Sequence, residues 1–260
     1  MNKIPNFNRK NQKNSNKSAQ HDSEKYDEIL KALGRANFGS ICMVDLVNEK
    51  LEFISGNPFL FSGLESCEVE KLGYDFYRQY VKPEDLAILN ALSNSGFKFF
   101  EQLPINDRKS YTITYDFHLT EKDKADVLIN HKITPLELSA DGRITKVVCI
   151  ISYSLNKEAG NMHVSSNAAK TFWQYNYITG EWSEESKITL KVREIEIIRL
   201  YLQGLKIEEI AKKLFVSPNT IKFHRSKLFD KIGVNNIFEA ISYVVSHNLI
   251  SMILTMQFIV

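Results

Sequence analysis

"VSPNTIKFHRSKLFDKIGV" occupies Val216 to Val234, and its reading decides the C-terminal part of the fold. Ser217 can cap a helix with its hydroxyl. Pro218 then falls at the first helical position, where a missing N–H costs nothing. At 100° per residue Ile221, Leu228 and Ile232 cluster within about 40° of one another, which predicts a buried stripe. Asn219, Lys222, Phe223, Ser226 and Lys227 lie on the opposite side. That face is basic, with small polar groups, and only Asp230 near the end of the helix is acidic. A solvated face more often mixes Glu with Lys. Phe223 exposed to water also costs hydrophobic free energy unless something covers it, and a thymine methyl would suit.

The residues upstream supply the partner elements. Ile207, Ile210, Ala211 and Leu214 fall at i, i+3, i+4 and i+7, which predicts a short helix. "FVS", Phe215 to Ser217, reads as a three-residue turn. Ile195, Ile198 and Leu202 line one face of a preceding helix, which Gly204 ends. A fourth helix falls in "NNIFEAISYVV", Asn235 to Val245. Two short helices joined by a tight turn make a helix-turn-helix, whose second helix enters the major groove of DNA.

This segment resembles the LuxR/GerE-type helix-turn-helix of bacterial transcription regulators. The family pattern appears as "LKVREIEII" (190–198), "EEIAKKL" (208–214), "VSPNTIKFH" (216–224) and "KIGV" (231–234). The resemblance implies that Lys222 reaches phosphate or guanine. It places Phe223 and Ser226 where base readout varies between members, and gives Thr220, His224, Arg225 and Lys227 packing or backbone contacts. Asn219 belongs to the same DNA-facing set. A packed, hydrogen-bonded role for His224 stands beside a phosphate contact. Three departures are visible. Lys191 replaces the family's capping threonine, so the capping box with Glu194 loses its N-cap half, while the staple pair Leu190 and Ile195 survives. Lys206 replaces a small polar residue. Asn235, Asn236 and Ile237 stand where a late arginine is usual, which removes a structural ion pair.

The front half reads differently. "SICMVDLVNEKLEFIS" (40–55) is two apolar runs around "VNEK", a hairpin with a longer turn. A short helix precedes it at "YDEILKALG" (26–34), closed by glycine. Glu68 to Leu103 looks helical, with Pro83, Glu84 and Asp85 as an internal helix start. "YTITYDFHL" (111–119) alternates strictly, Tyr111, Ile113, Tyr115, Phe117 and Leu119 facing one way. "DVLINHKI" (126–133) and "ITKVVCIISYS" (144–154) follow as strands, the second after the turn "SADGR". This order resembles the PAS family, a sensor module with a five-stranded antiparallel sheet and helices over one face. The residues that carry it are "MVDLVNEKLEFIS", "YVKPEDLAIL" and "DGRITKVVCIISYS". "EAGNMHVSS" (158–166) reads as a linker, and "FWQYNYITGEWSEES" (172–186) as an aromatic hairpin turning at Thr179 and Gly180.

The expected fold class is therefore α+β: a PAS-like five-stranded antiparallel sheet with helices, then an all-α, four-helix LuxR-type domain. The divisions are 1–24 as a disordered tail, poor in large apolar residues, 25–157 as the PAS-like sensory or dimerising domain, 158–186 as the linker, 187–250 as the DNA-binding domain, and 251–260 as an apolar tail.

Charge agrees with that division. The net charge is only +2, but Lys187 to Val260 holds eleven Lys/Arg against six Asp/Glu, a net of +5. Lys25 to Ala159 holds sixteen against twenty, a net of −4. A basic end on a mildly acidic body suits a polyanion. Cys42, Cys67 and Cys149 form no C-x-x-C pair, which fits a reducing cytoplasm and argues against a disulfide framework or a cysteine-rich zinc site. No signal peptide is legible, and no apolar run reaches the roughly 18 residues of a membrane helix. G-x-S-x-G, Walker, H-E-x-x-H and dinucleotide motifs are all missing. His131 on a strand makes a haem ligand conceivable, but a bland sheet histidine is favoured, since no second ligand spacing is visible. For Trp173, Tyr175, Tyr177 and Trp182, cross-strand packing is favoured over a ligand box.

The expected function is a sequence-specific DNA-binding transcription regulator, modulated by the front domain. No enzyme activity, cofactor or metal is predicted, and an unidentified small-molecule ligand is allowed in the PAS-like domain. The expected partners are double-stranded DNA and a second copy of the chain, with RNA polymerase conceivable and no membrane. The rival readings are a non-DNA adaptor and an enzyme acting on a small molecule.

Overall fold

The computed structural model describes residues 28–36, 39–55, 58–121, 124–247 and 249. The expected N-terminal tail (1–24) and C-terminal tail (251–260) lie outside the described residues. The chain divides into two compact units, Met1–Glu185 and Ser186–Val260. Among the described residues no helix is long and apolar enough to cross a membrane.

The first unit opens with helix α1 (28–36) and strands β1 (Ser40–Asp45) and β2 (Lys50–Ser55). Short helices follow: α2 (Ser66–Leu72), α3 (Asp75–Tyr80), α4 (Leu86–Ala91) and α5 (Phe97–Gln102). Pro83–Asp85 forms a single 3-10 turn ahead of α4. Its Asp85 is not solvated at a helix end. It is buried and accepts the His118 backbone N–H and its Nδ1, both at 2.7 Å. Strands β3 (Tyr111–Leu119), β4 (Val127–Leu138) and β5 (Ile144–Tyr153) come next.

Two expectations are corrected here. The sheet has eight strands, not five, in the order β2-β1-β5-β4-β3-β6-β7-β8. Residues 158–166, expected as linker, contain β6 (Gly160–Ser166), which pairs antiparallel with β3. Met162 and Val164 face the core and are fully buried. The aromatic hairpin, β7 (Thr171–Asn176) and β8 (Glu181–Ser186), then continues the sheet. It is pinned through Phe99 of α5, whose ring lies 5.4 Å from Trp173 and 5.0 Å from Trp182.

Both faces of the sheet are covered near its centre. Cys42 and Val44 join a core with α2–α5, while Ile41 and Met43 pack with Leu30 of α1, so every residue of β1 is buried. The alternation of β3 survives as orientation, but its polar face is not exposed. Asp116 is fully buried and accepts from the side-chain amides of Asn130 (2.8 Å), Asn156 (2.6 Å) and Asn161 (2.9 Å). A buried carboxylate persists only when its oxygens are paired in this way. At the β4–β5 turn Gly142 has φ +84°, and a Cβ there would lie 2.7 Å from Ile105. Its carbonyl accepts from Arg108, which also bonds the carbonyls of Glu101 and Leu103.

Among the described residues the second unit has four helices: α6 (Val192–Leu202), α7 (Ile207–Lys213), α8 (Pro218–Ile232) and α9 (Ile237–Ser246). The face of α6 differs from expectation. Ile197, Ile198 and Leu200 are buried, whereas Leu202, the last residue of α6, is 52% exposed. Two apolar clusters hold the unit together. One joins Ile197, Leu200, Ile210, Ala211 and Ile221; the other joins Leu190, Ile198, Leu228, Ile232, Ala240 and Val244.

Candidate nucleic-acid interface and pocket

Helix α8 is fixed at both ends and along one side. Ser217 Oγ accepts the Thr220 backbone N–H at 3.1 Å and lies 2.9 Å from its hydroxyl, so Thr220 is engaged in the cap. Gly233 closes the helix at φ +70°. Ile221, Leu228 and Ile232 are buried, Ile221 in one apolar cluster of the helical core and Leu228 and Ile232 in the other. Opposite them, Asn219, Lys222, Phe223, Ser226 and Lys227 are exposed, and Thr220, His224 and Arg225 are half-buried on the flanks. The Lys227 ammonium sits 4.5 Å from the Phe223 ring centre, and the Arg225 guanidinium 5.7 Å from that of Phe229. Both are cation–π distances. None of the ion pairs among the described residues engages Lys222, Arg225 or Lys227.

The turn before α8 carries a residue that the sequence pattern leaves unmarked. Phe215 is 95% exposed and has φ +54°. Its N–H reaches Lys212 O, and the Val216 N–H reaches Ala211 O, the paired bonds of a Schellman ending with phenylalanine in the place glycine favours.

The departures at the helix starts have local replacements. Glu194 Oε2 accepts the Lys191 backbone N–H at 2.7 Å and the Lys231 ammonium at 2.9 Å, and Lys231 also reaches Thr189 O. Burial raises the Glu194 carboxyl, but the Lys191 N–H and Lys231 outweigh it, and the group titrates below the ordinary glutamate value. Glu209 caps the Lys206 N–H in the same one-sided way at 2.7 Å. Lysine has no acceptor, so neither box closes reciprocally. Asn236 caps α9 by accepting the Glu239 N–H at 3.0 Å.

The first unit holds a small, partly open pocket walled by Val44, Leu46, Tyr74, Tyr77, Leu89 and Phe97 among others. Tyr115, His131 and Cys149 lie on its sheet side. Burial first, then the neighbouring thiols, pushes the Tyr77 and Tyr115 phenols well above their ordinary value. Cys42, next to Cys149 on the neighbouring strand, is drawn down to about 6 by the Cys149 thiol, against burial and with help from His131. Cys149 is pushed well up by the same pairing and by burial. No sequence motif announces this cluster. Trp173, Tyr175, Tyr177 and Trp182 do not line the pocket; Tyr175 packs edge-on against Tyr177 and at a tilt against Trp182 within the hairpin.

This architecture defines the C-terminal unit as a LuxR-type helix-turn-helix domain. Residues 189–244 match the family GerE, described as bacterial regulatory proteins, luxR family. The Fimbriae Z protein of Salmonella typhimurium is 38% identical over 61 residues, 24% of this chain and 29% of that one. The oxygen regulatory protein NreC of Staphylococcus aureus is 36% identical over 75 residues, 29% of this chain and 34% of that one. The chain thus spans about a third of the length of these relatives. Among solved structures, the phage VqmA–DPO complex aligns over 93% of this chain and 96% of its own, at 16% identity and a TM-score of 0.28, too low to equate the two overall folds.

Proposed function

We propose that the chain is a transcription regulator that binds duplex DNA as a dimer through α8, under the control of a PAS-like front unit that holds a small molecule. The observation that carries the DNA reading is the face of α8. Two exposed ammonium groups, a half-exposed phenyl ring and small polar side chains stand opposite a fully buried stripe, inside the LuxR-matching segment. Lys222, Arg225 and Lys227 supply charge to phosphates, and the released counterions drive association. Phe223, Ser226 and Asn219 offer contacts to base edges, Phe223 towards a thymine methyl. Phe238 and Val245, one heptad apart on α9 and both exposed, give a second copy an apolar contact. Support for the PAS-like reading comes from five contiguous strands, β2-β1-β5-β4-β3, with α2–α5 packed on one face around the pocket.

The test is a salt titration on specific and random duplexes. Lys222→Ala at a phosphate weakens binding equally on all sequences and lowers the salt slope by about one unit; at guanine it costs about 1–3 kcal/mol on the specific site alone. Phe223→Ala changes sequence preference and leaves the slope unchanged. Wild-type affinity of both variants on every duplex removes α8 from the DNA and moves the adaptor reading ahead.

A further inference from the structure

A row of side chains crosses the pocket side of the first sheet. Cys42 on β1 stands opposite Cys149 on β5. Cys149 stands opposite Ile133 on β4, and His131, two residues from Ile133, shares its face. Tyr115 on β3 stands opposite His131. One ligand atom from each of Cys42, His131 and Cys149 lies within 4.8 Å of the other two, and all three residues are buried. Both cysteines are free thiols. The Tyr115 hydroxyl bonds His131 Nδ1, while His131 Nε2 is buried and finds no hydrogen-bond partner. With the tyrosine oxygen accepting from Nδ1–H, Nε2 carries a lone pair, the tautomer a metal requires.

We propose that Cys42, Cys149 and His131 bind a divalent thiophilic metal ion of the zinc class, with a fourth coordination position open towards the pocket. Two sulfurs and one imidazole form a soft and borderline donor set that excludes magnesium and calcium. Charge selects a divalent ion. Two thiolates neutralise it, and the site carries no net charge into an apolar wall, where an unpaired charge is very costly. The thiol protons pass to solvent on binding and nothing is oxidised. Three protein ligands leave one position for a further donor, as in open zinc sites. His131 and Cys149 line the pocket, so the open position faces the cavity. In this respect the inference deepens the sensory reading: the small molecule held there would carry a nitrogen, oxygen or sulfur donor.

The full chain, reduced and metal-free under anaerobic conditions, is titrated with Co²⁺ alone. One equivalent should give thiolate-to-cobalt charge transfer and the visible bands of a four-coordinate site, and Zn²⁺ should abolish both. Cys67→Ser, which removes the exposed third cysteine, should leave the spectrum intact. Cys42→Ser and Cys149→Ser should each lose most of the charge transfer, and His131→Gln should shift the visible bands. Absence of charge transfer in the wild-type chain overturns the site whatever the variants do. A signal that follows Cys67, or a Cys42–Cys149 disulfide in the anaerobically reduced chain, also overturns it. Free imidazole added to the cobalt form should shift the visible bands. Unshifted bands would leave the metal site standing and remove the open position, and with it the link to the sensory reading.

Discussion

Glu194 is the point at which α6, α8 and the chain entering the second unit are tied together. It is 6% exposed, accepts the Lys191 N–H that α6 leaves over, and pairs with Lys231 near the end of α8. Glu194→Ala removes a helix cap worth about 1 kcal/mol and a charge-assisted bond worth about 1.5–3 kcal/mol. The expected loss is therefore about 2.5–4 kcal/mol, or a fall of about 10–30 °C in midpoint for a unit of this size. Both tryptophans, Trp173 and Trp182, lie in the first unit. Helical circular dichroism thus reads the change, with tryptophan fluorescence as the internal reference. The pH dependence has a definite sign. The folded pKa of Glu194 is depressed, so its stabilisation is full above the unfolded value of about 4.3 and is lost as pH falls through the folded value. The gap between wild type and variant should hold at pH 7 and close in acid. A helical midpoint within about 3 °C of wild type at pH 7 would refute the assignment of Glu194 as the tie.

Two further outcomes follow from the same structure. Phe215→Gly relieves a left-handed phenylalanine that is 95% exposed and packs on nothing. The second unit should gain about 0.5–1 kcal/mol in a urea titration, the strain released exceeding the glycine entropy cost. Asp116→Ala strips the shared acceptor from Asn130, Asn156 and Asn161 in the first unit. It should cost about 3 kcal/mol or more, read by tryptophan fluorescence, because three amide hydrogen bonds to one buried carboxylate are lost together.

What the sequence makes legible is what is encoded locally. The cap at Ser217, the stripe Ile221–Leu228–Ile232 and the basic face opposite all lie within four turns of one helix, so the 3.6-residue period is enough to separate buried from exposed. The front strands are legible by their period of two. Strand β6 is not, because only Met162 and Val164 mark its inner face, between Gly160 and two serines, and what joins it to the front strands is the distant β3. The Leu202 face is misjudged for a similar reason: periodicity assigns a side, but tertiary packing decides how far along the helix that side is covered. The Cys42–His131–Cys149 cluster lies furthest from any local signal. Its members sit on three strands, and the absence of a C-x-x-C pair misleads. What joins them is register, since a one-residue slip turns a whole strand over. That register is set by apolar residues with no chemistry of their own. Ile41 and Met43 must meet Leu30 and Val148 on one face, so Cys42 and Val44 must point to the other, where Val147 and Cys149 wait. The thiols meet because the hydrophobic alternation around them leaves β1 and β5 only one way to pair.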